Sequence, residues 1–464
     1  MLELFPDPLP ASAAALRTAA TGDRISFGEL ADRTAHLARL LTLEHKGLAF
    51  CYFRNDHVSI ENYLACLASG TTAYLADANT DRAMQRQLVA FYQPEWVLSS
   101  SSGDAQFFVE EEYQSTTSSD GRFWWRRVRA RTTPIHPDLA VLLTTSGSTG
   151  SSKLVRLTLG NIVSNACSIA KALELTPEHR PITSLPLHYS YGLSVLNSHL
   201  ITGAETVVTP EPILSAAFWD AFRRYECTSW AGVPYSYQVL RRLDLRNLKL
   251  RSLRHLTQAG GKLSSDLIAH FQQIAVTLGA SLWVMYGQTE ATARISILPA
   301  KDLPAKLGSV GFAIPGGTLW TENGEIFYRG ANVMMGYATS PEDLAAGDQL
   351  DGVLATGDLG YLDEEGYCYV TGRLKRIAKL LGVRINLDEI EQMVRTRVPA
   401  AVVGSDDRLV IFAEQNDEAL FQSLRRDLAE RLRVNHTCFT FRYIAALPVN
   451  ANGKVDYRRL QEEL

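Results

Sequence analysis

The chain has 464 residues, of which 21% are charged and 46% hydrophobic, and its formal net charge is -4. A chain this long can bury a sizeable core, and at roughly 150 residues per domain it predicts about three folding units. Its ordinary composition and slightly acidic charge argue against a nucleic-acid-binding protein and against a protein that binds an anionic membrane surface.

Cysteine usage and the first residues indicate the compartment. The six cysteines are far apart, and none belongs to a Cys-x-x-Cys pair. This spacing predicts free thiols in a reducing cytosol, without a disulfide framework or a cysteine-ligated metal. The opening residues, MLELFPDPLP, hold acids and prolines where a signal peptide needs a basic start, and no apolar stretch approaches the ~20 residues that span a bilayer. We therefore expect a soluble cytoplasmic protein.

Residues 27–100 alternate between helical and strand-like patterns. FGELADRTAHLARLL has apolar residues at helical spacing, and the short apolar run GLAFCYF follows it. The alternation continues through IENYLACLASG, TTAYLAD, DRAMQRQLVAFYQ and EWVLSS. Short connections between such segments favour parallel strands joined by crossover helices.

Four arginines follow two tryptophans in GRFWWRRVRARTTP, residues 121–134. A basic run with aromatic neighbours can mark a nucleic-acid patch. Because this is one short run in an acidic protein, it instead favours a solvated connector or an edge strand, with Trp124 and Trp125 packed inward.

The alternation resumes at residue 139 and continues to about Gly287. From Gly308 to Val370, short apolar runs separated by glycine-rich turns predict a small β-rich unit. After Arg373 the chain has helical and strand patterns of its own. We place a domain boundary near Leu374, which gives an N-terminal domain of residues 1–373 and a C-terminal domain of residues 374–464.

An apolar strand leads into a loop rich in Ser, Thr and Gly between Leu142 and Leu154, with the sequence LLTTSGSTGSSKL. Glycines let backbone amides turn toward an anion, hydroxyls donate further hydrogen bonds, and Lys153 adds charge, so the loop suits phosphate. It is not a Walker A motif, because Ser152 and Leu154 flank the lysine where that motif needs Gly and then Ser or Thr. A flexible surface loop is the alternative for this segment taken alone.

Five further motifs follow this loop in order. They are YGQTEAT (286–292), GEIFYRGANVMMGY (324–337), TGDLGYLDEEGY (356–367), TGRLKRIAKLLGVRINLDEIE (371–391) and NANGKVDYRRL (450–460). Together with the loop they resemble the signatures of the adenylate-forming superfamily of acyl- and aryl-CoA synthetases, peptide-synthetase adenylation domains and luciferases. The resemblance covers about residues 20–464. Ser152 and Leu154 replace the usual Pro and Gly beside the loop lysine, and the chain is short for the superfamily.

The resemblance implies a fold and an activity. The fold is α/β: a large N-terminal domain of Rossmann-like α/β subdomains plus a small β-rich subdomain, followed by a small mobile α+β C-terminal domain. The activity is ATP- and magnesium-dependent activation of a carboxylic acid to acyl-AMP, with release of pyrophosphate. The acyl group then passes to a thiol, either coenzyme A or the phosphopantetheine of a carrier protein.

The resemblance also assigns residues to the nucleotide. The loop for the β- and γ-phosphates comprises Thr145, Ser146, Gly147, Ser148, Thr149, Gly150 and Lys153. Gly260 and Gly261 let the backbone approach the adenine and the acyl group. Tyr286, followed by Gly287, stacks on adenine, and a core tyrosine at a strand end is the alternative.

Two neighbouring residues take the phosphate end. Thr289 matches a phosphate-contacting threonine, and Glu290 matches the magnesium ligand, as suits a hard cation that bridges phosphates. The alternative for Glu290 is an acid at a helix N-terminus.

Four residues of the C-terminal motifs receive roles. Asp358 matches the carboxylate that accepts both ribose hydroxyls, and Arg373 matches an arginine that reaches ribose or phosphate. Lys375 occupies the hinge about which the C-terminal domain alternates. Lys454 matches the catalytic lysine that bridges the acid carboxylate and the α-phosphate.

The acid is expected in a pocket near the motif SLPLHYSYGL. The predicted pocket residues are His188, Tyr189, Gly192, Gly232, Tyr235 and Arg294. His188, also a catalytic candidate, stands where amino-acid-activating members commonly carry an Asp that clamps the substrate amine. Because a histidine clamps a cation poorly, it favours an acid without an α-amino group.

Several alternatives stay open. Free coenzyme A and a carrier protein are equal rivals as acceptor, and a chain that ends at Leu464 is expected to lack a fused carrier domain. A stand-alone amino-acid adenylation enzyme and a catalytically inactive nucleotide-binding homologue are the other two hypotheses.

Overall fold

The computed structural model describes residues 2–107, 112–117, 121–129, 131–144, 153–243, 245–380, 383–404, 408–432, 434–450 and 454–464. The helices of this part of the chain are α1 (Phe27–Leu41), α2 (His57–Ser69), α3 (Arg82–Tyr92), α4 (Leu159–Ala172), α5 (Ser190–Ile201), α6 (Ala216–Arg224), α7 (Pro234–Leu240), α8 (Ser265–Thr277), α9 (Leu387–Arg395), α10 (Glu418–Leu432) and α11 (Tyr457–Glu462).

The strands, in the same ranges, are β1 (Ala14–Thr18), β2 (Arg24–Ser26), β3 (Leu48–Phe53), β4 (Thr72–Asp77), β5 (Trp96–Ser99), β6 (Tyr113–Thr117), β7 (Phe123–Arg127), β8 (Leu139–Thr144), β9 (Leu154–Thr158), β10 (Thr206–Val208), β11 (Ser229–Gly232), β12 (His255–Gln258), β13 (Ser281–Tyr286), β14 (Ser296–Leu298), β15 (Phe312–Ala313), β16 (Thr318–Glu322), β17 (Glu325–Arg329), β18 (Gly336–Ala338), β19 (Val353–Leu362), β20 (Cys368–Arg373), β21 (Ile377–Leu380), β22 (Val383–Asn386), β23 (Ala400–Gly404), β24 (Leu409–Ala413) and β25 (Phe439–Tyr443).

The chain divides into two compact units. The first comprises Met1–Thr318 with Arg329–Leu354, and the second comprises Leu319–Tyr328 with Ala355–Leu464. The α/β class predicted from the sequence is confirmed. The predicted domain boundary between residues 373 and 374 was placed at the expected hinge, whereas the two units are defined by their compactness. The boundary therefore stays a prediction.

An eight-stranded sheet with the order β18-β9-β8-β4-β3-β5-β7-β6 organises the first unit. Its centre is parallel, since β4 pairs in parallel with β3 and β8, and β3 with β5. The predicted crossover alternation is therefore confirmed there. The outer pairs are antiparallel.

Strand β3 shows why this sheet is buried on both faces. Ala49, Cys51 and Phe53 belong to a core that includes residues of α1 and α2. The intervening residues of β3 belong to a second core, which includes Leu88 and Val89 of α3. Because successive strand side chains point to opposite faces, one wholly apolar strand supplies both cores.

The tryptophan–arginine segment forms β7. Trp124 and Trp125 are buried, as predicted. The expectation of an edge strand is wrong, however, because β6 from the preceding Ser/Thr-rich stretch pairs with β7 and forms the edge itself. Those polar residues lack the apolar alternation by which a strand is recognised.

A second sheet of the first unit positions most of the candidate site. Its order is β11-β12-β13-β14-β15, with β11, β12 and β13 parallel and the last two strands antiparallel. A short third sheet has the order β10-β1-β2. None of the helices in the described ranges combines the length and apolar character that crossing a bilayer requires.

The second unit is built from smaller sheets. One has the order β16-β17-β19-β20, one pairs β21 with β22, and one has the order β23-β24-β25. Side chains of α9 and α10 form a core with the last sheet, which includes Ile390, Leu424 and Ile411. The helical and strand patterns predicted after Arg373 are therefore confirmed.

Candidate active site

The connection between β13 and β14 carries Tyr286, Gly287, Thr289 and Glu290. Tyr286 ends β13 and its carbonyl accepts a hydrogen bond of 2.9 Å from the Ile295 N–H. Gly287 has no room for a side chain, because a Cβ there would lie 1.9 Å from the Ala293 carbonyl oxygen. The glycine at this position therefore serves the fold of the loop itself.

A strained turn follows at Thr292. Its φ of 63° and ψ of -55° are γ-turn values, and the Ala293 N–H donates to the Ala291 carbonyl at 2.6 Å. This geometry is rare for a β-branched residue and costs roughly 1–3 kcal/mol. Asn332 holds it in place: its carbonyl accepts from the Thr292 hydroxyl at 2.7 Å, and its amide donates to Ala291 and Arg294 carbonyls.

Glu290 is fixed by a tyrosine that the sequence analysis did not single out. The Tyr337 hydroxyl donates to Glu290 Oε1 at 2.7 Å, and the Glu290 carbonyl accepts from the Met334 N–H at 2.9 Å. Burial and the adjacent carboxylate raise the pKa of Tyr337, so the hydroxyl stays protonated and donates. Lys153 Nζ lies 3.4 Å from the centre of the same ring, a cation–π contact.

These residues fit a magnesium ion that is shared with phosphates. Mg²⁺ is usually bound by one or two carboxylates together with substrate phosphate oxygens. Glu290 offers one oriented carboxylate at the Tyr337 hydroxyl, and the Lys153 ammonium group lies over the ring of the same tyrosine. In the part of the chain that the structure describes, no group of three or more metal-binding side chains forms a protein-only site. The arrangement therefore suits a cation that arrives with a nucleotide.

Helix α5 brings a second element to Thr289. Ser190, the first residue of α5, and Thr289 have hydroxyl oxygens 3.2 Å apart in a hydrogen bond, and both residues are buried. A Cβ on Gly192 would lie 2.2 Å from the Pro186 carbonyl oxygen, so only glycine lets α5 pack this closely on the preceding loop. Helix α5 therefore contains one predicted residue, Gly192, and contacts another, Thr289.

His188 lies just before α5 and faces the carboxylate of Asp77. Its Nε2 lies 3.7 Å from Asp77 Oδ2, at the carboxyl end of β4. Burial lowers the pKa of His188, and the Asp77 carboxylate opposes that shift, so the imidazole is neutral at pH 7. Asn55 holds the loop through the Leu185 carbonyl and the Leu187 N–H, at 3.1 and 3.0 Å.

The other predicted pocket residues differ in exposure. Tyr189 is buried and packs edge-on against Tyr191, whereas Tyr235 is 42% exposed. A Cβ on Gly232 would lie 2.7 Å from the Trp230 ring, which explains the glycine. Arg294 is 2% exposed.

The predicted adenine glycines follow β12. Gly260 has φ of 82°, a left-handed value that favours glycine. The Gly261 carbonyl accepts from Gln258 Nε2 at 2.8 Å, and a Cβ on Gly261 would lie 3.2 Å from Pro234 Cγ. Both glycines are thus tied to the sheet that carries Tyr286.

In the second unit, Asp358 and Arg373 are direct partners across β19 and β20. Arg373 Nε donates to Asp358 Oδ1 at 3.1 Å, and Asp358 is 6% exposed. The Thr356 hydroxyl accepts from the Asp358 N–H and donates to the Ile326 carbonyl. This places the predicted ribose carboxylate and its arginine side by side.

Lys454 directly precedes Val455, which forms a short antiparallel bridge with Val449. Asn450 bonds to it twice: its N–H donates to the Lys454 carbonyl at 2.8 Å, and its side chain accepts from the Lys454 N–H at 3.1 Å. Lys375, the predicted hinge, lies in a 3₁₀ turn between β20 and β21.

Part of the predicted site lies outside the described residues. This part comprises Thr145, Ser146, Gly147, Ser148, Thr149 and Gly150 of the phosphate loop, and Asn452 and Gly453 beside Lys454.

Tyr337 and Asn332 are the positioning residues that the sequence analysis missed. Both fall in the motif GEIFYRGANVMMGY, which was used as a signature without assigning roles to its members. Their partners are 38 to 47 positions earlier in the chain, so only the fold shows the contacts.

Comparison with known proteins identifies the family to which this chain belongs. The chain is 30% identical over 350 residues to a sulfoacetate–CoA ligase of Cupriavidus necator, a match that covers 70% of this chain and 68% of the relative. It is 27% identical over 351 residues to an oxalate–CoA ligase of Saccharomyces cerevisiae, with 70% of this chain and 63% of the relative covered. The chain thus spans about two thirds of the length of these curated relatives.

Solved structures share the fold. o-Succinylbenzoate CoA synthetase from Bacillus subtilis, in complex with its acyl-adenylate intermediate, has a TM-score of 0.79 at 23% identity, covering 98% of this chain and 96% of that one. ATP-bound MatB from Rhodopseudomonas palustris has a TM-score of 0.80 at 23% identity, with 98% and 96% covered. These likenesses confirm the large N-terminal and small C-terminal architecture. The sequence model described as "AMP-binding enzyme" matches residues 9–338, well over half of the chain, and the chain belongs to that AMP-binding enzyme family.

Proposed function

We propose that this enzyme activates a carboxylic acid with ATP to give acyl-AMP and pyrophosphate, and then transfers the acyl group to a thiol with release of AMP. The family and the relatives named as CoA ligases support this reaction. The observation that carries it in the structure is the joined arrangement of Glu290, Tyr337 and Lys153, because it offers one carboxylate and one ammonium group to a metal-bound phosphate chain.

The chemistry needs charge neutralisation more than a protein nucleophile. The substrate carboxylate attacks the α-phosphorus, and the α–β phosphoanhydride bond breaks to release pyrophosphate. Bound magnesium supplies positive charge to the phosphate oxygens. Lys153 neutralises further charge, Glu290 orients the metal, and Lys454 delivers an ammonium group between the acid and the α-phosphate.

The nucleotide residues are assigned within the same proposal. Tyr286 stacks on adenine, with Gly260 and Gly261 giving access, and Asp358 accepts the ribose hydroxyls. The pairing of Asp358 with Arg373 supports this role, because the arginine orients the carboxylate. The segment after residue 373 turns about Lys375 between the two half-reactions.

Coenzyme A is the acceptor that we propose, because the relatives are named CoA ligases. A carrier-protein phosphopantetheine is the second candidate, since the thiol chemistry is identical. A reducing cytoplasmic location belongs to the proposal and is supported by six cysteines that form no disulfide in the structure.

A panel of acids tests the reaction. Pyrophosphate release is measured with ATP and magnesium, with and without coenzyme A, and the products are identified by mass. Monocarboxylic, dicarboxylic, aromatic and amino acids form separate arms. Acyl-AMP without coenzyme A and a thioester with it are the expected products.

The same panel is run with the variant Glu290→Gln, which keeps the side-chain shape and removes its charge. We expect this variant to lose pyrophosphate release. Release with amino acids alone would favour the adenylation-enzyme alternative. A protein that binds ATP but releases no pyrophosphate with any arm would overturn the proposed function.

A further inference from the structure

A small cavity lies in the first unit between α4, α5 and strands β11 to β13. Its walls include Tyr191, Ser194, His199, Trp230, Thr257 and Arg294. The cavity volume that is open to the centre of a water-sized sphere is about 20 Å³. The cavity therefore has room for one compact group but not for a long chain.

Arg294 sends a charged guanidinium into this cavity without an acidic partner. Its Nη2 donates to the Ser194 hydroxyl at 3.2 Å, its charge lies over the Tyr191 ring at 4.4 Å, and its Nε has no hydrogen-bond partner. No carboxylate forms an ion pair with it in the described part of the chain. An arginine remains charged under all ordinary conditions, so this is an uncompensated buried charge.

Arg156 shows what a structural buried arginine looks like in the same protein. It is also fully buried, and it too lacks an acidic partner among the described residues. Its guanidinium nevertheless donates to four backbone carbonyls and to the Gln349 side chain. The fold therefore satisfies Arg156 completely and leaves Arg294 with one hydroxyl.

The backbone of Arg294 is held while its side chain is left open. Asn165 and Asn332 both donate to the Arg294 carbonyl at 3.0 Å. Further polar atoms on the cavity wall lack partners among the described residues, namely Trp230 Nε1 and His255 Nδ1. The indole N–H of Trp230 is a donor, and together with the Arg294 guanidinium it suits an oxyanion, which accepts several hydrogen bonds at once.

The cavity is close to the predicted reaction centre along two elements. Ser190, which bonds to Thr289, and Ser194, which bonds to Arg294, are one turn apart on α5, a rise of about 6 Å. Met285 on the cavity wall directly precedes Tyr286. Because residues four positions apart lie on the same face of a helix, Ser190 and Ser194 bring Thr289 and Arg294 to one side of α5.

We infer that Arg294 binds a second oxyanion of the substrate, a carboxylate or a sulfonate, so that the acid activated is a compact one with an anionic group at each end. The inference rests on the proposed function and names the substrate class. A planar guanidinium pairs with a carboxylate through two parallel hydrogen bonds, and such a site discriminates strongly against an analogue without the group.

Acids of equal length test the inference. Each diacid of two to eight carbons is compared with its monoacid, and a sulfocarboxylic acid forms a third arm that distinguishes the two oxyanions. For the wild-type enzyme we expect kcat/KM for the best diacid or sulfocarboxylic acid to exceed that of its monoacid by on the order of 10²- to 10⁴-fold.

Arg294→Met should remove this preference. The kcat/KM for the diacid should fall by at least about 100-fold, and by a far larger factor than the kcat/KM for the monoacid. Arg294→Lys keeps the charge without the two-pronged geometry and should recover part of the preference. Arg241→Met, at an exposed arginine, is the matched control and should keep the wild-type profile.

Binding gives a readout that needs no turnover. Calorimetric titration of the diacid into the wild-type enzyme with AMP present should show saturable binding, which Arg294→Met abolishes. Equal loss of monoacid and diacid activity in Arg294→Met, or wild-type turnover of monoacids at least as fast as diacids, would overturn the inference and leave the proposed function standing. Absence of pyrophosphate release with every acid, together with absence of diacid binding, would overturn both.

Discussion

Among the residues that the structure describes, the hydroxyl group of Tyr337 orients the Glu290 carboxylate. Tyr337 lies on β18, at one edge of the eight-stranded sheet, and reaches a carboxylate in the connection after β13. A hydrogen bond to a charged group contributes roughly 1.5–3 kcal/mol, and partners of this kind orient metal-binding side chains. The phenol ring also carries the Lys153 contact, so one side chain organises two charged groups of opposite sign.

Tyr337→Phe should therefore weaken the use of magnesium while leaving the fold intact. The ring and its contact with Lys153 remain, but one oxygen of Glu290 loses its donor. We expect the magnesium concentration for half-maximal pyrophosphate release to rise by about 10- to 100-fold. The measurement is the initial rate against free magnesium at saturating ATP.

Tyr113→Phe is the matched control. Tyr113 is a buried tyrosine on β6, at the opposite edge of the same sheet, and its hydroxyl donates to the Pro94 carbonyl at 2.9 Å. The magnesium dependence of this variant should match the wild type. An unchanged magnesium requirement in Tyr337→Phe would show that Tyr337 does not orient the metal ligand.

At this scale the sequence identifies chemistry better than contacts. Motif resemblance singled out Thr289, Glu290 and Arg294, and the structure places them in or beside one loop. The motif resemblance did not indicate that Tyr337 orients Glu290, or that Arg294 lacks an acidic partner among the described residues. Both facts depend on long-range packing, which a list of neighbours along the chain does not contain.

The connection from β13 to β14 is the element on which the site depends. Gly287 lets its backbone approach Ala293, and the strained turn at Thr292 follows. Strain of this kind persists only where surrounding contacts over-determine it, as Asn332 does here. The element is therefore rigid, and it fixes Thr289 and Glu290 relative to β13.

Gly287→Ala should disrupt this element. The added Cβ would meet backbone rather than a flexible side chain, so the loop itself must move. We expect a loss of roughly 1–3 kcal/mol in the free energy of unfolding, and a fall in kcat/KM for ATP larger than the stability loss explains. Urea unfolding and steady-state kinetics measure the two effects.

The control for this element is Gly279→Ala, just before β13. Gly279 has φ of 68° with open space around it, so the substitution costs about 1–2 kcal/mol of backbone strain without touching the loop. Its kinetics should stay at wild-type values. Equal kinetic effects of the two substitutions would mean that general destabilisation, rather than loop displacement, limits activity.

Element prediction from the sequence succeeded where the hydrophobic pattern was strong. Helices α1 and α3 have apolar faces at helical spacing, and the segments of both were recognised. Helix α5 was not recognised, because ten of its twelve residues are buried and no polar face reveals the period. Because α5 is buried, the sequence pattern did not reveal the helix that carries Ser190 and Ser194.

At the scale of the whole molecule, the second unit links the predicted hinge to the predicted catalytic lysine. Arg376, next to Lys375, bonds to Glu391 at 2.8 Å and lies 3.8 Å from the centre of the Tyr457 ring. The Tyr457 hydroxyl donates to the same Glu391 at 2.7 Å. Because Tyr457 follows Lys454 by three residues, we expect a rotation about Lys375 to carry Lys454 with it as one body.

Lys454→Ala should separate the two half-reactions. In the proposed mechanism, adenylation requires the ammonium group between the acid and the α-phosphate, whereas thiol attack on acyl-AMP does not. We expect acyl-AMP formation to slow by on the order of 10²- to 10³-fold, with thioester formation from supplied acyl-AMP within a few-fold of wild type. Lys301→Ala, at an exposed lysine of the first unit, is the control and should affect neither step. Equal slowing of both steps would contradict the proposed role of Lys454, because a lysine needed only for adenylation cannot impair the second step.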